Sequence, residues 1–218
     1  MEAMRSTAIP ASVIRRMTKY LTALPGLCAV GRGWVSSQDL AGTLGLTSST
    51  VRQDLSYLDF QGVSRRGYRT DGLMKVLSDV LGSDKAWNMI VVGAGNLGRA
   101  LALHEEFARR GFNIRGVFDS DAKKIGKRIG RLTVQSVCDI PGVMRSSPID
   151  IGVVAVPAAA AQSTADILIA CRVRGLLNLT QTHIVAPQRV PVVDARIVAN
   201  LQELAHAIST MRRSAHTA

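Results

Sequence analysis

The segment GAGNLG at residues 93–98 constrains this chain more than any other feature. It satisfies G-x-G-x-x-G, and its setting makes it specific. The apolar run NMIVV precedes it, the helical pattern RALALHEEF follows, and the next apolar run ends in Asp119, 21 residues beyond Gly98. Strand, glycine turn, helix and an acid closing the second strand together form a dinucleotide-binding βαβ signature. Gly93 admits the tight turn, Gly95 lets backbone N–H groups approach a pyrophosphate, and Gly98 lets helix and strand pack closely. Ala94, Asn96 and Leu97 complete the turn, which sets phosphates at a helix N-terminus where the peptide dipoles favour anions. An ionised Asp119 accepts hydrogen bonds from adenosine ribose hydroxyls and repels a 2′-phosphate, so NAD+/NADH is favoured over its phosphorylated counterpart. Lys123 and Lys124 oppose that preference. The run VVAVPAAAAQ at residues 153–162 reads as a strand followed by an Ala-rich helix. It puts Ala155, Val156 and Pro157 at the carboxyl edge of the sheet, where ligands bind in such folds.

The rest of the chain sorts around this turn. After residue 84, apolar β-branched runs (88–92, 113–118, 132–134, 151–156, 175–178, 188–193) alternate with helical stretches (99–110, 139–146, 159–173, 198–211). That alternation predicts a Rossmann-like, doubly wound parallel sheet over residues 85–218. Before it, Ile14, Met17, Leu21 and Leu24 predict a helix over 10–24, with Pro10 in its first turn. Ser36 caps a helix over 37–44 that Gly45 stops. Thr47 or Ser48 opens the next, with Val51, Leu55 and Leu58 as its buried stripe. This helix-turn-helix is followed by the basic hairpin GVSRRGYRT, a helix over 72–81 and a linker at 82–84, so residues 1–84 read as a winged helix. The fold class is α/β with an N-terminal winged helix-turn-helix.

Charge says what such a domain meets. Lys plus Arg number 27 against 16 Asp plus Glu, a net +11, which points to a polyanion. Aromatics are 4% of the residues, too few for rows of base-stacking rings. Arg52 and Gln53, early on the second helix of the helix-turn-helix, suit guanine and adenine edges in a major groove. Ser48, Ser49 and Ser56 share that helix, and Arg65, Arg66 and Tyr68 decorate the hairpin, where a wing meets phosphates or a narrow minor groove. Double-stranded DNA is the expected partner. The longest apolar run has 11 residues and contains Pro157, far from a membrane span, and the first ten residues lack a signal-peptide core, so a cytoplasmic protein is expected. Cys28, Cys138 and Cys171 form no CxxC, which argues against a disulfide scaffold or zinc site. No nucleophilic triad or metal motif appears. His104 falls on the helix after the glycine turn and stands open as proton donor, sensor or surface residue. An NAD-dependent oxidoreductase, a CoA-binding module and a cofactor-insensitive DNA-binding protein remain competing readings.

The order of these pieces resembles the Rex family of bacterial redox-sensing transcriptional repressors. The resemblance runs from about residue 9 to 208 and rests on VRQDLSY (51–57), VVGAGNLGRAL (91–101), Phe118-Asp119, Lys124-Ile125-Gly126, AVPA (155–158), Ala161-Gln162 and Leu177-Asn178. It implies a homodimer in which the last helix, about 198–211, swaps onto the partner. It implies operator binding when NAD+ dominates and release with NADH, and it adds Asn178 to the cofactor-binding candidates. The family's redox-linked network maps onto Arg16, His104, Asp194 and Arg196. There the chain departs from the pattern: His104 stands where the family usually has Tyr, and Arg196 where it usually has Asp, with Asp194 two residues upstream. The family's Asn-Phe-Ala-Pro turn reads Asn178-Leu179-Thr180-Gln181, and its Arg-Lys pair reads Arg52-Gln53. These changes imply a member with altered redox discrimination.

Overall fold

Val13, Met17, Tyr20 and Leu24 recur every three or four residues, and the chain coils into helix α1 (Ala11–Ala29), burying that face. The structure is a computed structural model describing residues 9–29, 33–195 and 197–216. Pro10 stands just before α1 rather than in its first turn, and its carbonyl accepts from the N–H groups of Val13 and Ile14. The helix runs five residues past the predicted end, through Pro25. Proline there removes one backbone bond, but Leu24 is fully buried and Leu27 packs on the same core, which holds the last turn in place.

Two compact units divide after Lys85. In the first, α1 is followed by β1 (Trp34–Val35), α2 (Ser37–Leu44), α3 (Ser48–Leu55), β2 (Tyr68–Arg69) and α4 (Thr70–Leu81). Helix α2 starts on a capping box: Ser36 Oγ accepts from the Asp39 N–H at 3.1 Å, and the Asp39 carboxylate accepts from the Ser36 N–H at 2.9 Å. Gly45, left-handed at φ 64°, ends it, and the Thr47 hydroxyl caps α3. Leu40, Ala41, Val51, Leu55, Leu58, Leu73 and Leu77 close the core against α1. The basic hairpin is tighter than a pair of strands. It closes through the single bridge Val63–Gly67, and β2 pairs antiparallel with β1, not with the segment before the turn.

The second unit is built on seven strands: β3 (Trp87–Val92), β4 (Phe112–Asp119), β5 (Arg128–Ile129), β6 (Leu132–Ser136), β7 (Ile151–Val154), β8 (Gly175–Asn178) and β9 (Val192–Asp194). Their order is β5-β6-β4-β3-β7-β8-β9, parallel from β6 to β9, with β5 antiparallel at the edge. Helices α5 (Asn96–Leu103), α6 (Glu106–Arg109), α7 (Ile140–Ser146) and α8 (Ala161–Ala170) connect them, and α9 (Ile197–His216) follows. Residues of β3 alternate between two cores. Ile90 and Val92 pack with Phe118, Ile140, Ala165 and Leu168, while Met89 and Val91 pack with Val117, Val134 and Val153. A single helix over 99–110 does not form. The chain breaks at His104, whose extended backbone (ψ 103°) ends α5, and α6 starts separately so that Phe107 can pack on the second core.

The second sheet face is incompletely covered. Trp87, Met89, Ile151, Leu177 and Val193 line an apolar cavity of about 540 Å³ on it. Helix α9 leaves its own stripe bare: Ile197, Val198, Leu201, Leu204 and Ile208 are all exposed.

Candidate dinucleotide and nucleic-acid sites

The sheet order changes direction at β3, and the glycine turn leaves its carboxyl end at that switch point. Gly93 (φ 107°) lies against the backbone of Ala155, where a Cβ would come within 2.2 Å of the carbonyl oxygen. A Cβ on Gly98 would meet the Gly93 carbonyl at 1.9 Å, so α5 rests directly on the turn. Gly95 is different: nothing lies within 4 Å of where its Cβ would point. It is also the N-cap of α5, with no side chain bonded to the helix end. The first amides of α5 therefore have no side-chain acceptor and open space beside them, a cradle that fits a pyrophosphate.

That cradle is one wall of a cavity of about 630 Å³. The candidates Gly93, Gly95, Asn96, Leu97, Asp119, Lys124, Ala155, Val156 and Pro157 all line it. Ala94 and Gly98 are buried behind it and shape the turn. The far wall comes from residues not anticipated, chiefly Val137 after β6 and Thr164 and Ile167 on α8.

Asp119 is more committed than expected. Its Oδ2 accepts from the Ala94 N–H at 2.7 Å and from Lys124 Nζ at 3.0 Å, and its Oδ1 accepts from the Asp121 N–H at 2.9 Å. A carboxylate offers about four acceptor sites, so it retains capacity for one ribose hydroxyl rather than two. Burial pushes this carboxyl up, but the Asp121 amide, Lys124 and the Ala94 amide together hold it below its ordinary value. It stays ionised and clamps the glycine turn.

Asn178 does not line the cavity. It is buried at the end of β8, donating to Thr182 O and Asp194 Oδ1 at 2.8 Å each and accepting from the N–H and hydroxyl of Thr180. Asp194 is its register partner on β9. His104 lies outside the dinucleotide cavity as well. It is exposed, its ring is 5.3 Å from that of Phe107, and it borders a separate cavity of about 470 Å³ with Arg109 and Arg131. Arg196 lies outside the described residues.

In the first unit, Ser49, Arg52, Gln53 and Ser56 are exposed at i, i+3, i+4 and i+7, the outward face of α3 and the turn that ends it. Ser48 is half-buried. Arg52 reaches Ser37 Oγ at 3.3 Å, and Ser56 Oγ donates to the Gln53 carbonyl at 2.7 Å. Beyond α3, Arg65 and Arg66 are exposed at the hairpin tip, and Tyr68 stacks on Phe60 at 6.4 Å between ring centres.

The inward face of α3 carries an ion pair. Asp54, with 2% of its side chain exposed, is held by Arg16 through two bonds, Nε to Oδ2 at 2.6 Å and Nη2 to Oδ1 at 2.7 Å. Tyr20 Oη donates to the same carboxylate at 2.6 Å. Burial pushes Asp54 up; the Arg16 and Tyr20 hydrogen bonds outweigh it and hold the carboxyl below its ordinary range. The Tyr20 hydroxyl is pushed up by burial and by Asp54. Arg16, a candidate for the redox-linked network, is thus committed to α3 within its own unit.

Known proteins match this geometry along the whole chain. Residues 84–182 match a family described as a CoA binding domain, and residues 8–56 one described as a putative DNA-binding protein N-terminus. The redox-sensing transcriptional repressor Rex of Carboxydothermus hydrogenoformans is 40% identical over 201 residues, covering 92% of this chain and 97% of the relative. Its counterpart from Thermosipho africanus is 38% identical over 200 residues, covering 92% and 96%. Among solved structures, RSP in complex with β-NAD+ and operator DNA superposes with a TM-score of 0.88 at 30% identity, over 96% of this chain and 97% of that one. RSP with β-NADH gives 0.87 at 30% identity, over 97% and 100%. With its two units and its glycine-turn cavity matched from end to end, this chain belongs to the Rex family of redox-sensing transcriptional repressors.

Proposed function

We propose that this chain is a transcriptional repressor that binds operator DNA through α3 and the hairpin wing and releases it when NADH occupies the glycine-turn cavity. The observation that carries the reading is the open cradle at Gly95, backed by an ionised Asp119 and sharing a chain with the outward stripe of α3. NAD(H) supplies a nicotinamide ring that is cationic when oxidised and neutral when reduced. The α5 amides and Gly95 hold the pyrophosphate, Asp119 and Lys124 take the adenosine ribose, and Val137, Thr164 and Ile167 supply the opposite wall. Because binding free energies are reciprocal, a reduced ligand that weakens DNA binding is itself weakened by DNA to the same factor.

A second copy of the chain completes the molecule in this reading. The bare stripe of α9 and the apolar cavity on the uncovered sheet face are both surfaces that water disfavours, each large side chain gaining about 1.5–3 kcal/mol on burial. A homodimer that swaps α9 covers both. The exposed position of His104, away from its own cavity, supports altered discrimination between the two nicotinamide states.

Duplexes selected from a random library by the purified protein test the reading, with binding measured alone, with NAD+ and with NADH. Loss of binding with NADH is the expected result. Equal binding in all three conditions would establish a cofactor-insensitive DNA-binding protein, and substrate-dependent NADH turnover would make it an oxidoreductase.

A further inference from the structure

The arginines of the wing are not equivalent. Arg69 is paired with Asp71, both exposed. Arg65 sits at the tip in the left-handed conformation (φ 62°) without an ion pair or hydrogen bond among the described residues. Arg66 lies with its guanidinium carbon 4.5 Å from the centre of the Trp34 ring. Its backbone is fixed too, since its N–H donates to the Val63 carbonyl at 3.0 Å inside the bridge that Val63 and Gly67 close.

The platform under Arg66 is itself rigid. Trp34 is half-buried in β1, opposite Arg69, and Val35 faces Tyr68. Gly67 (φ 90°) brings the hairpin onto that strand so closely that a Cβ would come within 2.3 Å of the Val35 carbonyl oxygen. A guanidinium stacked on a ring keeps its N–H edges free in the plane, which is the geometry a phosphate needs. Holding the side chain still beforehand removes the ordering cost that a free arginine meets on binding.

We propose that Trp34 is a positioning residue for DNA binding: its ring presents Arg66, already oriented, to a backbone phosphate beside the groove that α3 enters. This rests on the DNA-binding reading and adds to it a role for a residue of β1, outside the helix-turn-helix and the wing. It also ranks the wing arginines, with Arg66 as the fixed contact and Arg65 as the adaptable one.

The test uses the full chain and a library-selected duplex, with affinity followed from 50 to 200 mM salt. Arg66→Gln should weaken binding and flatten the salt slope by about 0.9, one phosphate contact. Trp34→Leu keeps an apolar side chain in β1 but removes the ring. It should weaken binding about 2- to 5-fold and leave the slope near its original value, because the charge is still present. Trp34→Phe should recover most of the loss, and Trp34→Leu combined with Arg66→Gln should be no weaker than Arg66→Gln alone. A purely structural role for Trp34 predicts additive losses and no recovery by Phe, and that outcome overturns the proposal, as does unchanged affinity in Trp34→Leu. If the unsubstituted protein selects no duplex at all, the DNA-binding reading falls first and this proposal with it.

Discussion

Replacing Arg16 with Met should destabilise the first unit by about 3 kcal/mol. The substitution keeps an apolar stem against α1 and removes the guanidinium, leaving Asp54 with a single donor, Tyr20 Oη at 2.6 Å. Stranding one member of a buried pair costs about 3–5 kcal/mol. The low end applies here because 28% of the Arg16 side chain is exposed and water can partly replace it, although Asp54 itself is 2% exposed. The two tryptophans provide the assay: Trp87 is in the second unit and Trp34 in the first, so Trp34 fluorescence in a Trp87→Phe background follows only the first unit during urea unfolding. With a slope of about 1 kcal/mol per molar urea for a unit of this size, the midpoint should fall by about 3 M. Replacing both partners, Arg16→Met with Asp54→Leu, should recover most of the loss, since two apolar groups leave no charge unpaired. A single-variant loss below about 1 kcal/mol, or a double variant as unstable as the single, would refute the account of a stranded charge. The pH dependence gives a further check. The Asp54 carboxyl is depressed in the folded state, so its contribution is present above the unfolded value near 3.9 and is lost as pH falls through the lower folded value. Arg16→Met should therefore weaken the dependence of first-unit stability on pH below about 4.

Gly98→Ala places a methyl against the Gly93 carbonyl oxygen and should cost the second unit about 3 kcal/mol together with its NADH binding, read by thermal melting and cofactor titration. Lys124→Ala uncovers the negative charge of Asp119 and should widen the preference for NAD+ over its 2′-phosphorylated analogue in a competition titration; a narrower gap would show that Lys124 is not the residue softening that discrimination. Leu201→Lys with Leu204→Lys puts two charges on the bare stripe of α9 and should leave a monomer in sedimentation equilibrium.

Elements whose causes are local were legible in the sequence. Helix α2 falls on its expected bounds because Ser36, Asp39 and Gly45 act within one turn of its ends. The glycine turn was readable for the same reason, and nine of its candidate residues line one cavity. The misreadings have distant causes. Nothing in HEEF stops a helix, and the break at His104 follows from Phe107 packing on the sheet. Asp54 shares the inward phase of Val51, Leu55 and Leu58, so its burial could have been inferred, but its partner lies 38 residues earlier and no spacing rule connects them. Asn178, placed with the cofactor by resemblance, spends its hydrogen bonds on Thr180, Thr182 and Asp194. Strand β5 has two residues, too short for an alternating pattern to register.

The clamp at Asp119 also bears on kinetics. Because the protein's own charge holds the Ala94 amide, the glycine turn has its binding shape before any nucleotide arrives. Encounter then requires no loop to fold, and arrival rates should differ little between the oxidised and reduced ligands. Any difference in their affinities must therefore appear in how long each stays. A sensor of this kind reports the redox poise of its surroundings through residence time, and its response to a shift is paced by the slower of the two departures.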